Sequence, residues 1–123
     1  MIEGVVNAAL EATVILIVIG SSGQPREIEA VVDTGFSEFL TLSPELIAEL
    51  QLEYSGVDYL VLANGSVENF EVFNATVAWD GQTRHIEAYA VGSTPLIGMR
   101  LLHGHSLYVE VVEGGRVVVQ GQG

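Results

Sequence analysis

The sequence predicts an all-β protein of two pseudo-symmetric halves with one or two short helices. Three observations carry this expectation. β-Branched residues dominate, and turn signals recur every 8 to 12 residues, the spacing of a sandwich or barrel. Asn64-Gly65, Asp80-Gly81 and Gly114-Gly115 each separate two apolar runs, and Asn-Gly or Asp-Gly in that setting marks a hairpin. Residues 23–30 (GQPREIEA) and 81–88 (GQTRHIEA) agree at six of eight positions, an internal repeat at an offset of 58.

In chain order, Val14 to Ile19 reads as a buried strand, Gly20-Ser21-Ser22-Gly23 as a turn and Glu27 to Val32 as the return strand. Ser43 then caps a short helix. Pro44 suits its first position, Leu46, Ile47 and Leu50 give it an apolar face, and it ends near Leu50. Val57 to Leu62 and Val67 to Phe73 flank the Ala63-Asn64-Gly65-Ser66 turn. Thr76–Trp79 leads through Asp80-Gly81 into Arg84–Ala90, and Leu96 to Leu102 predicts a second short helix. Leu107 to Val112 and Val117 to Gln120 close the chain as a third hairpin. No linker or low-complexity segment interrupts this order, so 1–123 reads as one domain.

Composition narrows the chemistry. With 49 % hydrophobic and 16 % charged residues the chain can bury a core. It has no cysteine and no lysine, which removes thiolate metal sites, cysteine nucleophiles and lysine Schiff bases. The net charge of −12 argues against nucleic acid and against an anionic membrane surface as partners. The most apolar run, 14–19, is too short to span a bilayer, and Glu3 and Glu11 stand where a leader peptide would be basic. The expected location is therefore cytoplasmic. His103 and His105 alternate, but no neighbouring acid completes a ligand set, so no metal and no cofactor are expected.

One acid stands out. Asp33 ends the second strand, is followed by Thr34 and Gly35, and apolar residues resume at once with Phe36, Phe39, Leu40 and Leu42. Burying a carboxylate there is costly unless it has a partner. The repeat places Val91 at the matching position, so only the first half carries an acid.

These features together resemble the retroviral-type, single-domain aspartic proteases, in a variant similar to a D-T-G-F microbial subgroup. The resemblance rests on Asp33-Thr34-Gly35, the hairpin around Asn64-Gly65, and Leu96-Ile97-Gly98 before Met99 to Leu102, and it covers roughly residues 11–112. It implies a closed or partly open acid-protease barrel with a flap hairpin. It also implies a homodimer in which each subunit supplies one Asp33 to hydrolyse peptide or protein substrates. One carboxyl takes a proton from water while the other donates to the carbonyl oxygen. Two carboxyls that close cannot both ionise easily and share a proton, for which the aspartic-protease dyad is itself the standard example. By the same resemblance Thr34 ties the two acid loops together, and Gly35 lets backbone approach the substrate. Phe36, Ser37, Ala63, Asn64, Gly65, Ser66, Leu96 and Ile97 would line the substrate site.

The sequence departs from that family in two places. Phe36 stands where a small residue is usual, which would narrow a subsite or fill core space. Ser37 and Met99 replace an acid and an arginine that pair in retroviral members, so that ion pair is expected to be missing. The departures keep a second reading open: a catalytically inactive barrel serving as a dimerisation or peptide-binding module. In either case residues 107–120, whose strands offer edges for pairing, are expected at the subunit interface.

Overall fold

The computed structural model of the chain describes residues 1–122. It contains β1 (Ile2–Val6), β2 (Ala12–Ile19), β3 (Pro25–Val32), β4 (Leu40–Leu42), α1 (Pro44–Leu50), β5 (Glu53–Val61), β6 (Val67–Trp79), β7 (Gln82–Ala90), β8 (Leu96–Ile97), α2 (Met99–Leu102), β9 (His105–Val109) and β10 (Arg116–Gly121). The strands hydrogen-bond in the order β5-β6-β7-β4-β8-β3-β2-β1-β10-β9, and a further pairing of β6 with β2 joins six of them into a ring. The expected all-β acid-protease architecture is therefore present. Alternate residues point into the ring: Val14, Leu16 and Val18 from β2, Ile28 and Ala30 from β3, Val77 from β6 and Ala88 from β7 are all core.

The repeat is visible as a twofold arrangement of pairings. β2 crosses β6 antiparallel with Val18 opposite Val77 and Ile19 opposite Thr76, and these residues are each other's mates at the offset of 58. β3 runs parallel to β8 (Val32 beside Ile97), and β7 runs parallel to β4 (Ala90 beside Leu42). β4 and β8 meet antiparallel between them. The halves differ in one connection. From Val32 to Leu42 the chain uses nine residues (33–41), and from Ala90 to Ile97 it uses six (91–96). The longer connection is the one that carries Asp33.

Helix α1 forms as its sequence dictates. The Ser43 hydroxyl accepts the Leu46 N–H at 3.1 Å, Pro44 occupies the first turn, and Gln51 ends the helix in the left-handed region at φ 53°. Ile47 and Leu50 are its buried face.

Several expectations are corrected. Leu96 and Ile97 are not helical, because the parallel ladder with β3 and the antiparallel ladder with β4 claim them as β8; only Met99–Leu102 winds into α2. The runs 67–73 and 76–79 are a single strand, β6, long enough to pair with β5, β7 and β2. β1 has no counterpart in the sequence reading, since Glu3 and Gly4 interrupt its apolar pattern. Gly4 is needed there: a Cβ on it would lie 1.9 Å from the Thr13 carbonyl oxygen. β1 inserts between β2 and β10. β10 is flanked on both sides, by β1 and β9, and Val117 and Val119 lie in the core. Within that segment β9 alone keeps an unpaired edge among the described residues.

Candidate active site

Asp33 follows the last residue of β3. Its N–H donates to the Ile97 carbonyl at 2.8 Å, so β8 fixes where the loop begins. Its own carbonyl accepts the Phe36 N–H at 3.2 Å, and its Oδ1 accepts the Gly35 N–H at 2.9 Å. The side chain thereby bonds its own turn, as Asp commonly does, and the carboxylate is oriented without a cation beside it. Thr34 and Gly35 are exposed, and Asp33 is half-buried. Beside them runs a groove whose lining includes Leu10, Glu11, Val31, Leu96, Leu107 and Val109. A carboxylate in such a groove can accept a proton from water. Acting alone it cannot also supply one to a carbonyl oxygen.

The rest of the loop is latched to α2. Gly98 N–H donates to the Phe39 carbonyl (3.0 Å), Met99 N–H to Phe36 (2.8 Å) and Arg100 N–H to Glu38 (3.3 Å). Three of the otherwise unpartnered amide groups of the α2 start are satisfied by the acid loop. Gly98 is what permits this approach. A Cβ there would sit 2.0 Å from the Glu38 carbonyl oxygen and 2.6 Å from the Phe36 ring.

The expected site residues separate into groups. Asp33, Thr34 and Leu96 share the groove. Ile97 is fully buried behind the loop, and its carbonyl accepts the Asp33 N–H. Phe36 turns from the groove to meet Tyr89 edge-on, at 6.2 Å between ring centroids. Ser37 lines a different depression with Phe39, Arg84, Met99, Arg100 and His103. Ala63, Asn64, Gly65 and Ser66 form the exposed tip of the β5–β6 hairpin. There Ser66 N–H donates to Asn64 Oδ1 at 3.0 Å, and Gly65 adopts φ +84°.

Two features escaped the sequence reading. Ser37 and Met99 form no ion pair, but one lies a residue further along each segment: Arg100 Nε is 3.3 Å from Glu38 Oε2, with the Arg100 guanidinium also 5.8 Å from the Phe39 ring centre. The shift of both partners by one position concealed it. The second is Tyr89, whose hydroxyl donates to Asp58 Oδ2 on β5. The Tyr89 bond and the Tyr59 N–H hold the Asp58 carboxyl below its ordinary value, while burial and then Asp58 push the Tyr89 phenol up. Tyr89 carried no signal as a site residue because it alternates with core positions in an ordinary strand pattern.

His105 Nε2 lies 3.6 Å from Asp80 Oδ2, and its ring packs edge-on against Trp79. Among the described residues no three His, Asp or Glu side chains cluster as a metal site would require, and no helix is long and apolar enough to cross a membrane.

No protein-family model and no curated protein matches this sequence. Among solved structures, a retropepsin-like aspartic protease from Rickettsia conorii superposes with a TM-score of 0.59 over 97 % of this chain and 90 % of that one, at 16 % identity. At that identity the likeness concerns architecture: the chain has the fold of a retropepsin-like aspartic protease.

Proposed function

We propose that residues 1–123 form one protomer of a homodimeric aspartic endopeptidase, with a water activated between the Asp33 carboxyls of two subunits. The observation that carries this reading is the setting of Asp33. It lies at the end of β3 in the longer of two symmetry-related connections, oriented by Gly35, in a chain with the retropepsin-like fold. Val91 occupies the matching position in the other half, so the acid–base pair needs a second copy. The exposure of Thr34 and Gly35 fits a loop that a partner covers. The β5–β6 hairpin would serve as the flap, and the subunit surface would include the β9 edge and the groove beside Asp33.

The inactive-module reading drew on Phe36 and on the missing ion pair. Phe36 packs against Tyr89 and beside the Gly98 backbone, and Glu38 pairs with Arg100 one position beyond Ser37 and Met99, contacts that support the enzyme reading over the inactive module. The test is incubation with a diverse peptide library at acidic and neutral pH, with and without pepstatin. Cleavage that disappears in Asp33→Ala supports the enzyme. A protein that is dimeric by sedimentation and cleaves nothing at any pH refutes it.

A further inference from the structure

Tyr89 is 2 % exposed, yet it is not part of the core cluster that fills the ring. On β7 its neighbours Ile86 and Ala88 point into the ring, so strand alternation sends Tyr89 to the outer face. Its ladder partner Val72 is likewise 3 % exposed and outside that cluster, three residues before the inward-facing Ala75. Tyr89 meets the acid loop through the Phe36 ring and the β5–β6 hairpin through Asp58.

The place is also where the hairpin leaves the ring. The β6–β7 ladder begins at Val72–Tyr89, and residues 67–71 of β6 pair with β5 alone. At the same level the β5–β6 register shifts between Tyr54 and Gly56, and Gly56 takes φ +149°, a backbone state open to glycine and little else. A bulge, a glycine and the end of a ladder together make a hinge. Asp58 lies two residues beyond Gly56 and is tied back across the hinge to the Tyr89 hydroxyl. The same Tyr89 ring rests edge-on against Phe36, three residues after Asp33.

We propose that Tyr89 is a positioning residue that fixes the resting position of the β5–β6 hairpin relative to the acid loop, through its hydroxyl to Asp58 and its ring to Phe36. The catalytic consequence rests on the aspartic-peptidase reading, in which the hairpin closes over a peptide. The structural claim does not. With the tether made, the hairpin is held near the loop and little ordering remains when a substrate arrives. With the tether broken, the hinge swings freely and substrate binding must supply that ordering.

The test is amide hydrogen exchange on Tyr89→Phe, which keeps the ring and its packing and removes the hydroxyl. Exchange in residues 57–71 is expected to rise about ten-fold, the low end for losing a hydrogen bond to a charged acceptor. Exchange in β2 and β3 should stay unchanged. Asp58→Ala, at an exposed position, should reproduce the rise, and the double variant should add nothing to either single change. With a cleavable peptide, both variants should raise KM while kcat changes little. Unchanged exchange in 57–71, or a rise shared equally by β2 and β3, overturns the proposal. If exchange responds as expected but the wild type cleaves no peptide, the tether stands and the peptidase reading falls.

Discussion

Gly98→Ala is the sharpest test of how the acid loop is held. Gly98 has φ −97° and ψ 177°, extended backbone that alanine adopts freely, so the substitution acts through space alone. The new methyl carbon would lie 2.0 Å from the Glu38 carbonyl oxygen, 2.6 Å from the Phe36 ring and 2.8 Å from the Phe36 carbonyl oxygen. Two of these three neighbours are backbone, so a rotamer change cannot relieve the clash. The loop must withdraw from α2 by about an ångström or more, enough to break the bonds from Met99 N–H to Phe36 and from Arg100 N–H to Glu38. Overpacking a tight site costs about 1–3 kcal/mol, and each lost hydrogen bond adds about 1 kcal/mol. The expected destabilisation is therefore about 3–5 kcal/mol, a large share of the ~5–15 kcal/mol typical of a domain. In urea unfolding, a slope of about 2 kcal/mol/M turns this into a midpoint lowered by roughly 2 M. A loss below about 1 kcal/mol, within the range of ordinary surface substitutions, would falsify the latch between loop and helix.

Other outcomes follow from the same geometry. In the proposed dimer, Asp33→Asn would remove the repulsion between the two facing carboxylates. It should abolish cleavage, dimerise as tightly as wild type in acid, and dimerise more tightly near neutral pH; parallel dissociation curves between about pH 4 and 8 would show that the two residues do not meet. Glu38→Gln should change stability by less than about 1 kcal/mol in thermal melts, because Arg100 is 58 % exposed and the pair is screened. Asp58 is held below its ordinary value of 3.8 by Tyr89, so its contribution is fully present above that pH and fades as pH falls through the lowered value. The stability gap between wild type and Asp58→Asn should accordingly close in acid, and a gap that widens there refutes the bond. In the protomer a Cβ added at Gly35 would meet one neighbour, Asp33 Oδ1 at 3.3 Å, a tight contact that a shift of that side chain by a few tenths of an ångström relieves. Gly35→Ala should unfold within about 0.5 kcal/mol of wild type yet lose cleavage, and retained cleavage would mean that neither a partner nor a substrate approaches Gly35.

Local signals in the sequence were sufficient wherever a residue's conformation is settled by its neighbours in the chain. The Ser43-Pro44 start of α1, the Asn64-Gly65 and Asp80-Gly81 turns and the β2–β3 hairpin all form where their residues predict. Misreadings occur where distant pairing decides. Leu96 and Ile97 lie in an apolar run compatible with a helix, and only the ladders with β3 and β4 make them a strand. β1 is held by β10 from the far end of the chain, a pairing that no local pattern in Ile2–Val6 announces. At the candidate site, Asp33 stands out in the sequence because a lone acid between apolar runs is anomalous. Tyr89 and Glu38 were not, since an aromatic in a strand and an acid in a loop are both ordinary until their partners are known.

The repeat also accounts for how the two halves divide their work. Val31 and Tyr89 are mates at the offset of 58, one residue before the ends of β3 and β7, and both point away from the core. In the first half the small Val31 leaves space and forms part of the groove beside Asp33. In the second half the larger Tyr89 fills the corresponding space and reaches both Asp58 and Phe36. The connection that follows is long and acid-bearing after Val31, and short and without an acid after Tyr89. The difference in size at these equivalent positions thus accompanies the division between a half that keeps an open groove and a half that contacts the hairpin. Exchanging the pair, Val31→Tyr with Tyr89→Val, should fill the groove beside Asp33 and release the hairpin together. The variant should show fast exchange in residues 57–71 and no cleavage, with the remaining ring strands still protected. If instead it cleaves peptide as the wild type does, the size of these two side chains does not set the division.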